Sequence, residues 1–416
     1  MTPAAPEAAH AFLTADSATH ARLRSHALAV ADAVAQARSQ DRPFSGVDPV
    51  TLAADIAAID PCPSEGVDLG DLLVELRDAV LAHGIHVSHP YCAAHLQCPT
   101  LLVAATAELA IAATNQSMDS FDQGPAATFL EDHLVRWLAA TLGFADGSGV
   151  LTSGGTASNL LGLLLARERA SSQAGGSYED GLPRQHWRWR ILASSDAHDS
   201  VRRSASVLGL GAGSVVGVAT DHAGRMDIAS LDAELDNLAT ANLQPLAIVA
   251  TAGTTDLGAI DPLPELAARA RATGAWLHVD AAVGSALALS PRLAPLLDGI
   301  QHADSITADL HKLWFMPISA SALLVRDLAL LDAVRYHSDY LNRADDEADG
   351  VLNLVARSLD TSRRFDALKI LIGLRHTGRR RLAEMVEHLV DLSLMEVRLS
   401  SAVHRMPAAV AGILVG

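Results

Sequence analysis

The chain has 416 residues, half of them apolar, and a formal charge of −17, so it can bury a large core and is too apolar for general disorder. That acidic balance argues against nucleic acid or an anionic membrane as a partner. Three cysteines, Cys62, Cys92 and Cys98, form no CxxC pair and no disulfide framework, which fits a reducing compartment.

Residues 1–80 carry an Ala-rich helical periodicity, broken at "DRPFSGVDP" and at "DPCPSEG". The N-terminus has no basic region followed by an apolar core, so no signal peptide is expected. Residues 100–144 predict two more helices around the turn "FDQGPAA". The longest apolar stretch, Leu101 to Thr114, contains Glu108 and is too short to span a bilayer, so a soluble, cytoplasmic protein is expected. From about residue 149 short apolar runs alternate with helices. Strands are expected at 190–195, 245–251, 275–281, 305–309 and 321–326, and helices at 157–170, 230–240 and 262–273. This alternation predicts an α/β domain with a mostly parallel sheet covered on both faces, with ligands at the carboxyl ends of its strands. Beyond about residue 331 the chain becomes helical again, and "NRADDEADG" is expected to form a mobile loop.

The expected strand ends deliver "SGGTAS", "DAHDS", "TAGTTD", "DAAVG" and "DLHK" to one rim. A Gly-Gly-Thr turn entering a helix, at Gly155 and Thr156, offers free backbone N–H groups to an anion such as phosphate. It fits neither the P-loop nor the GxGxxG pattern. Asp280 ends an apolar strand, where a carboxylate either caps a helix or holds a proton on a partner nitrogen. The small residues Ala281 and Ala282 leave room for a flat ring. His198 and Thr251 reach the same rim. Of the 31 basic residues only Lys312 and Lys369 are lysines, and a lysine amine, unlike a guanidinium, can attack a carbonyl. Lys369 falls mid-helix in "RRFDALKILIGLRH" and suits a structural role. An anion cradle, a carboxylate, a ring slot and a lysine in this order meet the needs of pyridoxal phosphate. His83, His86, His89, His95 and Cys92 match no standard zinc spacing, and a GxSxG elbow is lacking, so neither a metal nor a serine hydrolase is expected.

"HPYCAAHLQCP", "SGGTASNLLGLLLAR", "HVDAAVGSA", "TADLHKLW" and "TSRRFDALK" together resemble the pyridoxal-phosphate-dependent group II amino acid decarboxylases, over roughly residues 40–390. "AHLQCPT" and "DSFDQ" are most similar to the diaminobutyrate and siderophore-type lysine decarboxylases. The resemblance implies an aspartate-aminotransferase-like, type I fold with a mostly parallel seven-stranded sheet. It implies an N-terminal helical dimerisation arm over 1–85, a cofactor-binding large domain over 86–330 and a small, early-ending C-terminal domain over 331–416. Active sites would lie at a homodimer interface. Lys312 would anchor the cofactor covalently, Asp280 would face the pyridine nitrogen, and His198 and Ala282 would cover its two faces. Gly155, Thr156 and His311 would hold the phosphate, with Thr251 near the ring's polar edge; His89, Tyr91, His95 and Tyr340 would meet the substrate. Three departures stand out, one being that the chain stops at Gly416 where relatives usually continue through a longer C-terminal domain. Leu354 occupies the place of a loop tyrosine that protonates Cα in aromatic decarboxylases, with Tyr336 and Tyr340 nearby. Asp309 replaces an asparagine and should prefer an N–H or hydroxyl partner. The expected reaction is decarboxylation of an aliphatic, dibasic amino acid such as diaminobutyrate, ornithine or lysine. The alternatives are an acidic substrate, decarboxylation coupled to oxidative deamination, and a catalytically weak homologue.

Overall fold

A computed structural model describes residues 12–38, 41–92, 96–176, 181–335 and 350–404. His95, Tyr336, Tyr340 and residues 342–349 of the expected loop lie outside them. The chain divides into two compact units, Met1–Ala94 and His95–Gly416.

The first unit holds three helices, α1 (Ser17–Ala37), α2 (Pro49–Ala57) and α3 (Leu69–Ala79), separated at the two predicted breaks. Each opens on an aspartate whose side chain accepts a first-turn N–H: Asp16 from Thr19 at 2.9 Å, Asp48 from Val50 at 3.0 Å and Asp68 from Gly70 at 2.8 Å.

The second unit begins with α4 (Leu102–Thr114) and α5 (Pro125–Thr141). Seven strands follow: β1 (Ser148–Thr152), β2 (Trp189–Ser194), β3 (Val215–Val218), β4 (Gln244–Thr251), β5 (Trp276–Asp280), β6 (Ser305–Asp309) and β7 (Ser321–Val325). They form one sheet in the order β1-β7-β6-β5-β4-β2-β3, with β7 antiparallel to both its neighbours and the remaining pairs parallel. The strand expectations hold to within a residue at each end; β1 and β3, which the apolar pattern did not single out, are additions. Both are short, and each carries a glycine among its few residues.

The crossovers are α6 (Gly155–Gln173), α7 (Ser200–Val207), α8 (Ile228–Thr240) and α9 (Leu263–Thr273); α10 (Ala367–Thr377) and α11 (Arg379–His404) close the unit. Alternate strand residues serve opposite faces. Ile248, Ala250, Leu277 and Val279 join one apolar cluster with α5 and α9, while Ala247, Val249 and Trp276 join another with α6 and α7. Two buried ion pairs tie later segments to α4 and α5. Arg363 Nη1 donates to Glu131 Oε1 at 2.8 Å, and Glu131 is fully buried. Lys369, fully buried on α10, lies 2.9 Å from Glu108 Oε1 and 2.9 Å from Asp366 Oδ1 and donates to Ser319 O. No helix among the described residues is long and apolar enough to cross a membrane.

Candidate active site

The carboxyl ends of β4, β5 and β6 and the N-terminus of α6 surround a cavity of about 590 Å³. Gly155 and Thr156 line it from α6, His198 from the loop after β2 and Thr251 from the last position of β4. Asp280 lines it from the end of β5, with Ala282 just beyond, and His311 and Lys312 follow β6. The residues singled out for cofactor contact therefore share one space, drawn entirely from the second unit. His89 and Tyr91 belong to the first unit, where their rings lie 5.4 Å apart and Tyr91 is exposed.

Local folding explains each placement. α6 opens at Gly154 with no side-chain cap, so its first-turn N–H groups are left for another acceptor. A Cβ on Gly155 would sit 2.9 Å from Asp309 Oδ2, so only glycine lets this turn approach the end of β6. Asp280 is buried, and both its oxygens meet donors: Asn159 Nδ2 reaches Oδ2 at 2.7 Å and the Ala282 N–H reaches Oδ1 at 3.1 Å. Asp261 braces the end of β4, accepting from the N–H groups of Thr251 at 2.7 Å and Met226 at 2.6 Å, and burial pushes its carboxyl up to about 6.

Lys312 is partly buried, and its Nζ lies 3.0 Å from Asp309 Oδ2. His311 accepts the Ala320 N–H on Nδ1 and points Nε2 at the same carboxylate oxygen, 3.5 Å away. Burial lowers the His311 pKa, against the opposing pull of Asp309. The partner expected for Asp309 was an N–H or hydroxyl group. The groups that meet it are of that kind, an ammonium and an imidazole, brought there because the tight turn after β6 folds residues 311 and 312 back over the strand end. Thr251 Oγ1 and Asp309 Oδ1 are buried without hydrogen-bond partners, and both residues line the cavity. Leu354 is buried in the apolar core. Asn159 was not singled out, although it follows Gly155 by one helical turn and so shares its face of α6.

The profile described as "Pyridoxal-dependent decarboxylase conserved domain" matches residues 57–404. The chain belongs to the pyridoxal-dependent decarboxylase family. Among its relatives is the L-2,4-diaminobutyrate decarboxylase of Acinetobacter baumannii, 40% identical over 79% of this chain and 66% of that enzyme. The enzyme of the same name from Rhizobium meliloti (strain 1021) is 42% identical over 91% of this chain and 75% of its own length. The chain thus spans about two thirds to three quarters of these relatives. A solved structure described as the glutamate decarboxylase domain of diaminobutyrate-pyruvate transaminase and L-2,4-diaminobutyrate decarboxylase, from Vibrio parahaemolyticus, superposes with a TM-score of 0.84. It is 35% identical and covers 95% of this chain and 81% of its own.

The decarboxylase family takes its name from pyridoxal phosphate, and the residues present fit that group. An uncapped helix N-terminus suits a phosphate, and two buried polar atoms lack partners. A primary amine and a buried carboxylate line the same cavity.

Proposed function

We propose that the chain removes the α-carboxylate of an aliphatic, dibasic L-amino acid, such as 2,4-diaminobutyrate, as CO2 and leaves the corresponding amine. The observation that carries this reading is the convergence of the Lys312 amine and the Asp280 carboxylate on one cavity beside an uncapped helix N-terminus. The names of the 40–42% identical relatives support the substrate class, and a chain charge of −17 attracts cations at long range.

Bound there, pyridoxal phosphate would supply a protonated heterocycle that takes up the electron pair freed when the Cα–carboxylate bond breaks. Asp280, fixed by Asn159 and the Ala282 N–H, would hold the proton on the ring nitrogen, so the stabilising charge is in place before the bond breaks. Gly155, Thr156 and His311 would hold the phosphate, His198 and Ala282 the two ring faces, and Thr251 the polar edge. Lys312 would anchor the cofactor covalently, and its free ammonium, before loading or once the substrate amine has displaced it, would be held in the cavity by Asp309. Leu354 carries no transferable proton, so the proton returned to Cα is assigned to His198 or Lys312. We assign His89, Tyr91, His95 and Tyr340 to the substrate, within a cytoplasmic homodimer whose sites lie at the interface.

Incubating the purified protein and added pyridoxal phosphate with each amino acid, followed by mass analysis, tests the proposal. A dibasic amino acid should yield amine and CO2, and Lys312→Ala should yield none. Amine formation by that variant at the normal rate, or an aldehyde with hydrogen peroxide, refutes it.

A further inference from the structure

A seam of buried polar side chains runs beneath the cavity, between α6 and the sheet. On β5, Trp276, His278 and Asp280 alternate toward α6. Across the ladder His278 pairs with Ser305 and Asp280 with Thr307. These side chains and Asn159 are all buried. A Cβ on Gly162 of α6 would lie 2.7 Å from the His278 ring, so that glycine makes the seat for the imidazole.

The chemistry of the donors gives the seam a direction. An indole N–H can only donate, so Ser305 Oγ accepts Trp276 Nε1–H at 2.8 Å; the same hydroxyl, which can still donate or accept, meets His278 Nδ1 at 2.8 Å. The Asp280 carboxylate only accepts, so Asn159 turns its NH2 to Asp280 and its oxygen to His278. His278 must then carry its proton on Nε2 and donate to Asn159 Oδ1 at 2.9 Å. Ser305 therefore donates to Nδ1, and Thr307 Oγ1 donates to the Asn159 amide oxygen at 2.7 Å. Burial pushes the His278 imidazole down to about 3, so the ring stays neutral near pH 7. The amide NH2 of Asn159 faces the other way. One of its protons reaches Asp280 Oδ2 at 2.7 Å and the other reaches Ser200 Oγ at 2.9 Å. Ser200 Oγ passes its proton to His198 Nδ1 at 2.8 Å, and that nitrogen also accepts the Ser200 backbone N–H at 3.2 Å. The Asp280 end demands this arrangement, because a flipped amide would set its oxygen 2.7 Å from the Asp280 carboxylate.

We propose that Asn159 is a positioning residue for both sides of the cavity: its amide, oriented between the Asp280 carboxylate and the Thr307 and His278 donors, fixes Asp280 directly and, through Ser200, holds His198 with its proton on Nε2. The consequence for turnover rests on the proposed function, whereas the tautomers belong to the protein alone.

Long-range proton–nitrogen correlation spectra of cofactor-free protein labelled with 15N-histidine test this, with signals assigned by loss in His198→Gln and His278→Gln. Both rings should show the Nε2–H pattern. Asn159→Asp replaces a donor with an acceptor, so Ser200 should turn its hydroxyl to the new carboxylate, leave His198 Nδ1 with the Ser200 N–H alone and shift the His198 nitrogen signals. Pyridoxal phosphate affinity and kcat should each fall on the order of tenfold or more, with KM within about twofold. An Nδ1–H pattern on either native ring overturns the proposal, as does an unchanged His198 signal in folded Asn159→Asp. Native Nε2–H rings in a protein that binds no pyridoxal phosphate would sink the function and leave this inference standing. Decarboxylation with His198 in the Nδ1–H form would do the reverse.

Discussion

His278 makes a stability prediction whose size follows from its surroundings. Its ring is fully buried and its pKa is held at about 3 against an ordinary 6.5. Below pH 6.5 the unfolded chain takes up a proton that the folded ring refuses until about pH 3, so stability falls as pH falls through that window. Integrating between pH 7 and pH 5, this one group removes about 2 kcal/mol. Asp261 acts with the opposite sign. Its carboxyl is raised to about 6, so the folded form gains the proton first and recovers about 1 kcal/mol over the same interval. Asp261 thus offsets roughly half of the loss in the native protein, so the effect must be read from a difference. His278→Gln keeps an N–H for Asn159 and cannot titrate. Urea unfolding followed by circular dichroism should find the stability gap between native protein and variant about 2 kcal/mol smaller at pH 5 than at pH 7. A gap that stays constant or widens would mean that the folded ring accepts a proton, and the directional seam could not exist.

Three other substitutions follow from the same contacts. Asp280→Asn should bind pyridoxal phosphate, seen by its absorbance, yet lose on the order of 3 kcal/mol of transition-state stabilisation, about a hundredfold in kcat. Gly155→Val places a branched side chain where a Cβ already meets Asp309 Oδ2 at 2.9 Å, so cofactor affinity measured by fluorescence titration should drop at least about tenfold with little change in fold. Arg363→Ala leaves the fully buried Glu131 without its cation and should cost about 3–5 kcal/mol in unfolding free energy, with Glu131→Gln in the same chain restoring part of it.

Much of this arrangement was legible from the chain alone. Short runs rich in apolar and small residues between helices mark the buried strands, and 305–309 emerges with its observed limits and the other four expected strands within a residue. Rim residues were legible because a lone lysine, a strand-ending aspartate and a Gly-Gly-Thr turn are chemically distinctive. β3, four residues with a glycine among them, has too little pattern to register. Asn159 escaped for a different reason. Its partners Ser200, His278 and Asp280 stand 41 to 121 residues away, and only the ladder register and the helix seat bring them together. For Asp309 residue type foretold an N–H donor, but which groups supply it is set by a turn whose geometry the sequence does not spell out.

The burial of Lys369 has a practical and a biological edge. Aldehydes such as pyridoxal condense with any accessible amine, and most proteins present a surface covered with them. Here one of the two lysine side chains is sealed behind Glu108 and Asp366, which leaves Lys312 as the sole lysine amine with solvent contact. Reductive trapping should therefore label the chain at one lysine, and stray adduct formation has almost nowhere else on the molecule to begin.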